Sequence, residues 1–295
     1  MEHTHHPDVG KIIKFGNYEW LILDVQDNKA LIITRYLCWK EEYNKKYQDV
    51  TWETCTLRKY LNSEFLQKFT AEEQKKIIET EINNPDNLWY GTSGGNNTID
   101  KVFLLGIEEI EKYFGGNDYT EIRRKDLKVK RDYYKIGCEY EYTDDASGCW
   151  LSDDYNIDRI AAGKSFESES WWLRTPGDAK RAVSVGANGD IDIKGSDVSR
   201  SYFSCPNYRP ALWLNGYSEL LETGKVLSEE YAIERKLRHK FPQIAEYCCW
   251  HSEGYVYFKY SETKKVPYND DFEIWKEYRT KADGSGELEL VSKSN

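Results

Sequence analysis

The feature that most constrains this chain is a run of bulky strand-formers followed closely by a hairpin signal. Trp171-Trp172-Leu173-Arg174-Thr175-Pro176-Gly177 leads into Ala182-Val183-Ser184-Val185 and Asp190-Ile191-Asp192-Ile193. Between those two segments stands Gly186-Ala187-Asn188-Gly189, whose Asn-Gly step favours the positive backbone angles of a tight hairpin. Tyr208-Arg209-Pro210-Ala211-Leu212-Trp213-Leu214 then reads as a closing strand. Successive side chains on a strand point to opposite faces, so one of Trp171 and Trp172 is expected in the core and the other towards a cleft.

The other end of the chain is also built from short strands. Ile12, Ile13 and Phe15 precede the turn Gly16-Asn17, Trp20-Leu21-Ile22-Leu23 precedes Asp27-Asn28, and Ala30-Leu31-Ile32-Ile33 follows. These runs are too short for helices and predict a β-meander. Helices are predicted next. Leu57, Tyr60, Leu61, Phe65 and Leu66 recur at helical spacing, and Thr70-Ala71-Glu72-Glu73 has the pattern of a capping box. Lys101-Val102-Phe103-Leu104-Leu105 reads as a buried strand and 107–114 as a short helix, whereas 118–170 reads mostly as loop.

After Asn215-Gly216 the pattern changes to a helix within 228–247, broken near Pro242, and to strands at Tyr255-Val256-Tyr257-Phe258 and Leu288-Glu289-Leu290-Val291. The expected organisation is a disordered tail at 1–9, a main domain at 10–215 and a small α+β appendage at 216–295. The fold class is α+β throughout.

Composition narrows the function classes. The apolar fraction of 39% and the charged fraction of 31% describe a folded chain with a core. Aromatic residues reach 15%, enough to fill that core and leave rings to stack on a ligand. The net charge of -10 argues against a nucleic-acid partner, which requires a basic stripe. One basic segment, Arg123-Arg124-Lys125 with Lys128, Lys130 and Arg131, reads as a solvated face. No apolar run approaches the ~18 residues of a membrane span, and the N-terminus lacks the apolar stretch of a secretory signal. The seven cysteines form no Cys-x-x-Cys pair, so reduced thiols and a cytoplasmic setting are expected.

Histidine supplies the sharpest exclusion. His3, His5 and His6 lie in the tail, His239 and His251 in the appendage, and 7–238 contains none. A nucleophile activated by histidine cannot be assembled in the main domain, and a zinc site there would lack suitable ligands. Gly94-Gly95 and Gly115-Gly116 make no nucleotide-binding loop, so no cofactor is expected. A carboxylate pair drawn from Asp144, Asp145, Asp153 and Asp154 reads first as solvated loop surface, and a cation site at Asn188, Asp190 and Asp192 is explained as well by a turn followed by an exposed strand face. Arg174 and Arg209 are expected to sit close together as anchors of a polar network.

These segments carry a resemblance. Val50-Thr51-Trp52-Glu53, Thr56-Leu57-Arg58-Lys59-Tyr60-Leu61-Asn62, Phe65-Leu66, and Gly94-Gly95-Asn96-Asn97-Thr98-Ile99-Asp100 running on to Leu105 are similar to a bacterial family of domains of unknown function. So are 171–177 and 208–214, and the resemblance covers roughly 10–215. Gly106 stands where that family usually has a serine N-cap, and Thr175 replaces a common serine. More distantly, the order of strands resembles C-type-lectin-like domains related to formylglycine-generating, sulfatase-modifying enzymes. Those enzymes use a pair of cysteines near the last strand, where this chain has Cys205 alone.

The resulting expectation is a non-catalytic recognition module, C-type-lectin-like in fold, for a protein or glycan ligand. Its expected ligand-binding residues are Trp89, Tyr90, Trp172, Arg174, Asn188, Asp190 and Arg209. Two alternatives stay open: an enzyme of carboxylate or thiol type, carried by the Asp144 to Asp154 cluster or by Cys205, and a structural or assembly subunit.

Overall fold

The meander forms where the short β-branched runs meet residues that turn easily. Strands β1 (Ile12–Phe15), β2 (Tyr18–Gln26) and β3 (Lys29–Thr34) pair antiparallel in sequence order. Asp27 and Asn28 both take positive φ at the β2–β3 turn, as a two-residue hairpin requires. The computed structural model describes residues 6–38, 40–116, 118–121, 150–163, 168–199, 205–222, 226–241, 244, 248–264 and 272–293. Asp144, Asp145, His3, His5 and the basic segment 123–131 lie outside these residues. Residues 6–9, expected within a frayed tail, form a turn in which Val9 N–H donates to the His6 carbonyl at 3.0 Å.

Helix α1 (Thr56–Tyr60) continues through a wide turn at Leu61–Phe65 and a tight one at Leu66–Lys68. Helix α2 (Ala71–Lys76) opens with the expected capping box: Glu73 N–H donates to the Thr70 hydroxyl, and Thr70 N–H donates back to the Glu73 carboxylate at 2.8 Å. Strands β4 (Thr80–Ile82) and β5 (Thr98–Asp100) form a small pair of their own. Residues 101–105 are not the expected strand. Val102 to Leu105 are buried, but only Phe103 makes a bridge, to Ala211, because the chain bends away immediately into helix α3 (Ile107–Phe114).

Strand β6 (Trp150–Leu151) and helix α4 (Asn156–Arg159) precede β7 (Trp171–Pro176), β8 (Arg181–Val185) and β9 (Ile191–Asp197), which make a second antiparallel sheet in the order β6-β9-β8-β7. Strand β10 (Ala211–Asn215) returns to the first sheet beside β3, with Ala211 opposite Ile33 and Leu214 opposite Ala30. Helix α5 (Tyr217–Glu222) follows, and β11 (Val226–Ser228) adds to the opposite edge next to β1, giving the order β10-β3-β2-β1-β11. Helix α6 (Glu230–Lys240) leads to a third antiparallel sheet of β12 (Cys248–Ser252), β13 (Tyr255–Lys264), β14 (Phe272–Lys281) and β15 (Glu289–Lys293). The architecture is therefore mixed α+β, with several antiparallel sheets.

One apolar core joins the first two sheets and runs from Ile13 to Tyr217 along the chain. A smaller one, around Leu237, Phe241, Ile244, Val256 and Phe258, lies under the third sheet.

Strand β7 corrects the expectation of alternation. Trp171 and Trp172 are both fully buried. The free edge of β7 is covered by remote backbone: Trp172 N–H donates to the Asn207 carbonyl at 2.9 Å and Arg174 N–H to the Leu105 carbonyl at 3.0 Å. Protein also lies on both of its faces. Trp171 packs edge-on against Phe114, whereas Trp172 meets Tyr43 and donates its indole N–H to the Glu41 carbonyl at 3.0 Å.

Candidate functional site

Two clefts stand out among the described residues. The first lies between the 83–89 segment and the N-terminal end of α3, with β7 as its floor. It is an open cleft of about 550 Å³, open solvent included, lined by Asn83, Asp86, Trp89, Glu108, Arg174 and Thr175, among others.

Its walls are fixed by buried polar side chains. Asn87, 1% exposed, donates from Nδ2 to the carbonyls of Pro176 at 2.7 Å and Ile193 at 3.1 Å. Its Oδ1 accepts the backbone N–H groups of Trp89 at 2.9 Å and Tyr90 at 3.2 Å, a local turn that sets the indole at the cleft. Asp86 Oδ1 accepts Gly94 N–H at 2.9 Å, and a Cβ at Gly94 would fall 2.1 Å from the Asn84 carbonyl oxygen. Only glycine lets these two stretches of backbone approach so closely.

Arg174 joins three elements beneath the cleft. It donates to the Leu104 carbonyl at 2.8 Å, to the Asn83 carbonyl at 3.0 Å and to the Glu109 carboxylate. Beside it, a hydroxyl from β7 supplies the cap that Gly106 lacks. Gly106 has no side chain with which to cap α3, and the Thr175 hydroxyl from β7 accepts Ile107 N–H at 3.1 Å in its place. A Cβ at Gly106 would stand 3.2 Å from that same hydroxyl, so the small residue admits its substitute cap. Glu109 accepts Gly106 N–H at 2.8 Å.

The cleft brings together Trp89 and Arg174 of the expected ligand set, and Tyr90, next in the chain, is absent from its lining. Asn188 and Asp190 sit apart, at the β8–β9 turn, where Asn188 Nδ2 donates to Asp190 at 2.9 Å. Burial raises the Asp190 carboxyl above its ordinary value. Trp172 and Arg209, expected to reach a ligand, are enclosed in the core. Arg209 lies between the rings of Phe114 and Trp171, each 5.3 Å away, and donates from Nε to the Thr34 carbonyl at 2.8 Å. Burial lowers its pKa.

The residues of the enzyme alternatives are held differently. Asp153 pairs with Arg159 at 2.8 Å with both side chains wholly buried, and Asp154 is exposed. Cys205 is 2% exposed, and burial raises its thiol, which keeps it in the poorly nucleophilic protonated form.

The second cleft lies where α6 meets the first sheet and α4. Arg35, just beyond β3, donates to Glu19 and Glu230 at 3.0 Å each and to Glu234 at 2.8 Å. Arg235 and His239 both reach Asp158 on α4, and the Tyr231 hydroxyl donates to the Asp158 carbonyl at 3.1 Å. The sequence reading missed this junction. Its signal was Glu230 and Glu234 at i,i+4 on a predicted helix, followed by Cys249 and His251 at alternate positions of a strand.

Residues 27–216 match the family described as a domain of unknown function, DUF6273, and the chain belongs to that family. The match begins at the β2–β3 turn and ends just after β10, so it contains the first cleft and ends before α6. No curated protein and no solved structure matches the chain.

Proposed function

We propose that the chain is a recognition module whose first cleft takes the sugar ring of a glycan. The observation that carries this reading is the half-buried Trp89 indole set among oxygen-bearing groups on walls already held in place. An aromatic face packs against the C–H groups of a pyranose ring, while carboxylate and amide oxygens accept its hydroxyls. Asn83, Asp86 and Glu108 supply such oxygens around the cleft. Asn87 and Arg174 fix the walls through bonds to other elements, which reduces the ordering cost of binding. With Arg174 neutralised by Glu109, the remaining carboxylates disfavour an anionic ligand.

On this reading the β6-β9-β8-β7 sheet and its flanking loops correspond to the loop-bearing sheet of a C-type-lectin-like domain. The burial of Cys205 and the locked Asp153–Arg159 pair favour recognition over catalysis.

The test is a glycan array probed with the full chain and with Trp89→Ala. Retention of a defined glycan class by the native chain, weakened about tenfold or more by Trp89→Ala at unchanged circular dichroism, is the expected result; tenfold corresponds to about 1.4 kcal/mol. Retention of no glycan, or equal retention by the variant, overturns the reading.

A further inference from the structure

We propose that Glu230, Glu234 and His251, with Cys249 beside them, form a binding site for a divalent transition-metal ion of the zinc type, and that the ion replaces Arg35 there. One ligand atom from each of Glu230, Glu234 and His251 lies within 4.8 Å of the other two. His251 Nε2 is already 3.1 Å from Glu234 Oε1. A tetrahedral ion with bonds of about 2.0–2.1 Å separates its donors by about 3.3 Å, so His251 and Glu234 already stand near that spacing and Glu230 has to close towards them.

The elements hold this set for a simple reason. Glu230 and Glu234 are one helical turn apart on α6 and share a face. Cys249 and His251 alternate on β12 and share a face of the strand. The Cys249 sulfur accepts an Arg238 N–H at 3.4 Å in the ion-free form, and a metal that takes this sulfur binds it as the thiolate and releases its proton. Mixed nitrogen, oxygen and sulfur donors suit zinc and its neighbours better than calcium or magnesium.

In the ion-free form Arg35 supplies the positive charge between the two carboxylates. It also has Glu19 on β2 at 3.0 Å, so it keeps a partner when an ion takes Glu230 and Glu234. All four donors lie beyond the family segment, whereas Arg35 and Glu19 belong to the first sheet. Ion binding therefore exchanges a contact between the two parts of the chain for a clamp within the C-terminal part. Metal and docking of α6 on the first sheet compete.

The test uses the full chain with Zn²⁺, by native mass spectrometry and calorimetric titration. One ion per chain is expected, with affinity falling by at least about 100-fold in His251→Ala and in the conservative Glu234→Gln, beyond the ~10–100-fold of outer-shell changes. Arg35→Ala is expected to bind about tenfold tighter, and Zn²⁺ should raise its Tm more than that of the native chain. A role of Arg35 in docking alone would not tighten zinc binding. Co²⁺ should give a thiolate absorption band that Cys249→Ser removes, and its absence overturns the sulfur ligand. No ion on either the native chain or Arg35→Ala overturns the site. So does binding indifferent to both His251→Ala and Glu234→Gln, which would assign the ion to the N-terminal histidines.

Discussion

The indole nitrogen of Trp52 donates to Oδ2 of Asp100 at 2.9 Å, joining residues 48 positions apart in the chain. The same carboxylate accepts Arg58 Nε at 2.7 Å and the Thr98 hydroxyl at 2.7 Å, and Asp100 is only 2% exposed. Asn62 on the neighbouring turn accepts the N–H groups of Lys101 and Val102 at 2.9 and 3.1 Å. Three of the segments on which the sequence resemblance rests, 50–53, 56–62 and 94–105, thus meet in one scaffold.

Asp100→Ala should destabilise the fold by about 3–5 kcal/mol, because it leaves the Arg58 charge and the Trp52 N–H without their acceptor. Denaturant unfolding of the native chain and of this variant measures it. Asp100→Asn keeps one acceptor oxygen and should cost less. A loss below about 1 kcal/mol for Asp100→Ala would show that the scaffold does not depend on this carboxylate.

The second expectation concerns pH. Burial works against ionised Glu234, but the His251 hydrogen bond and the charges of Arg35 and Arg238 outweigh it and hold the carboxyl below its ordinary value of 4.5. A carboxyl with a lowered folded pKa contributes stability that is complete above its unfolded value and is lost as pH falls through its folded value. The packing of α6 on the first sheet should therefore hold from pH 7 down to about 4.5 and weaken below it. Hydrogen exchange of the α6 amides across pH 7 to 3 reads this directly. Glu234→Gln should flatten the dependence, and an unchanged profile in that variant would assign the acid weakening to other groups.

Gly189 marks the tip of the β8–β9 hairpin with φ of +83°, and a Cβ there would stand 1.8 Å from the Asn156 carbonyl oxygen. Gly189→Ala should cost more than about 1 kcal/mol, combining backbone strain with displacement of α4. Thermal unfolding measures the loss, and a neutral substitution would mean that the hairpin and α4 separate readily.

Local features were legible because their causes lie a few residues apart. The Thr70–Glu73 capping box, the Asp27-Asn28 turn and the Gly189 hairpin are interactions within one turn of chain, and each element formed where those residues stand. The pairing of β10 with β3 lay beyond local pattern, because it brings Leu212 opposite Ile32 across most of the chain. The candidate ligand set was legible only in part. Trp89 and Arg174 share the first cleft, whereas Trp172 and Arg209 are buried, and strand alternation within 171–177 does not register the protein packed on both faces of that strand.

What the sequence determined by itself was the mixture of short strands and helices, the turns between them and the absence of histidine from 7–238. These follow from side-chain shape, spacing and residue identity. Only the tertiary structure decided that Phe114 would pack on Trp171 and Tyr43 on Trp172, so that both tryptophans are buried. It also decided that Arg35 would meet Glu234, 199 residues further on. Burial and charge pairing are properties of surfaces brought together across the chain, and no periodicity within one segment records its distant partner.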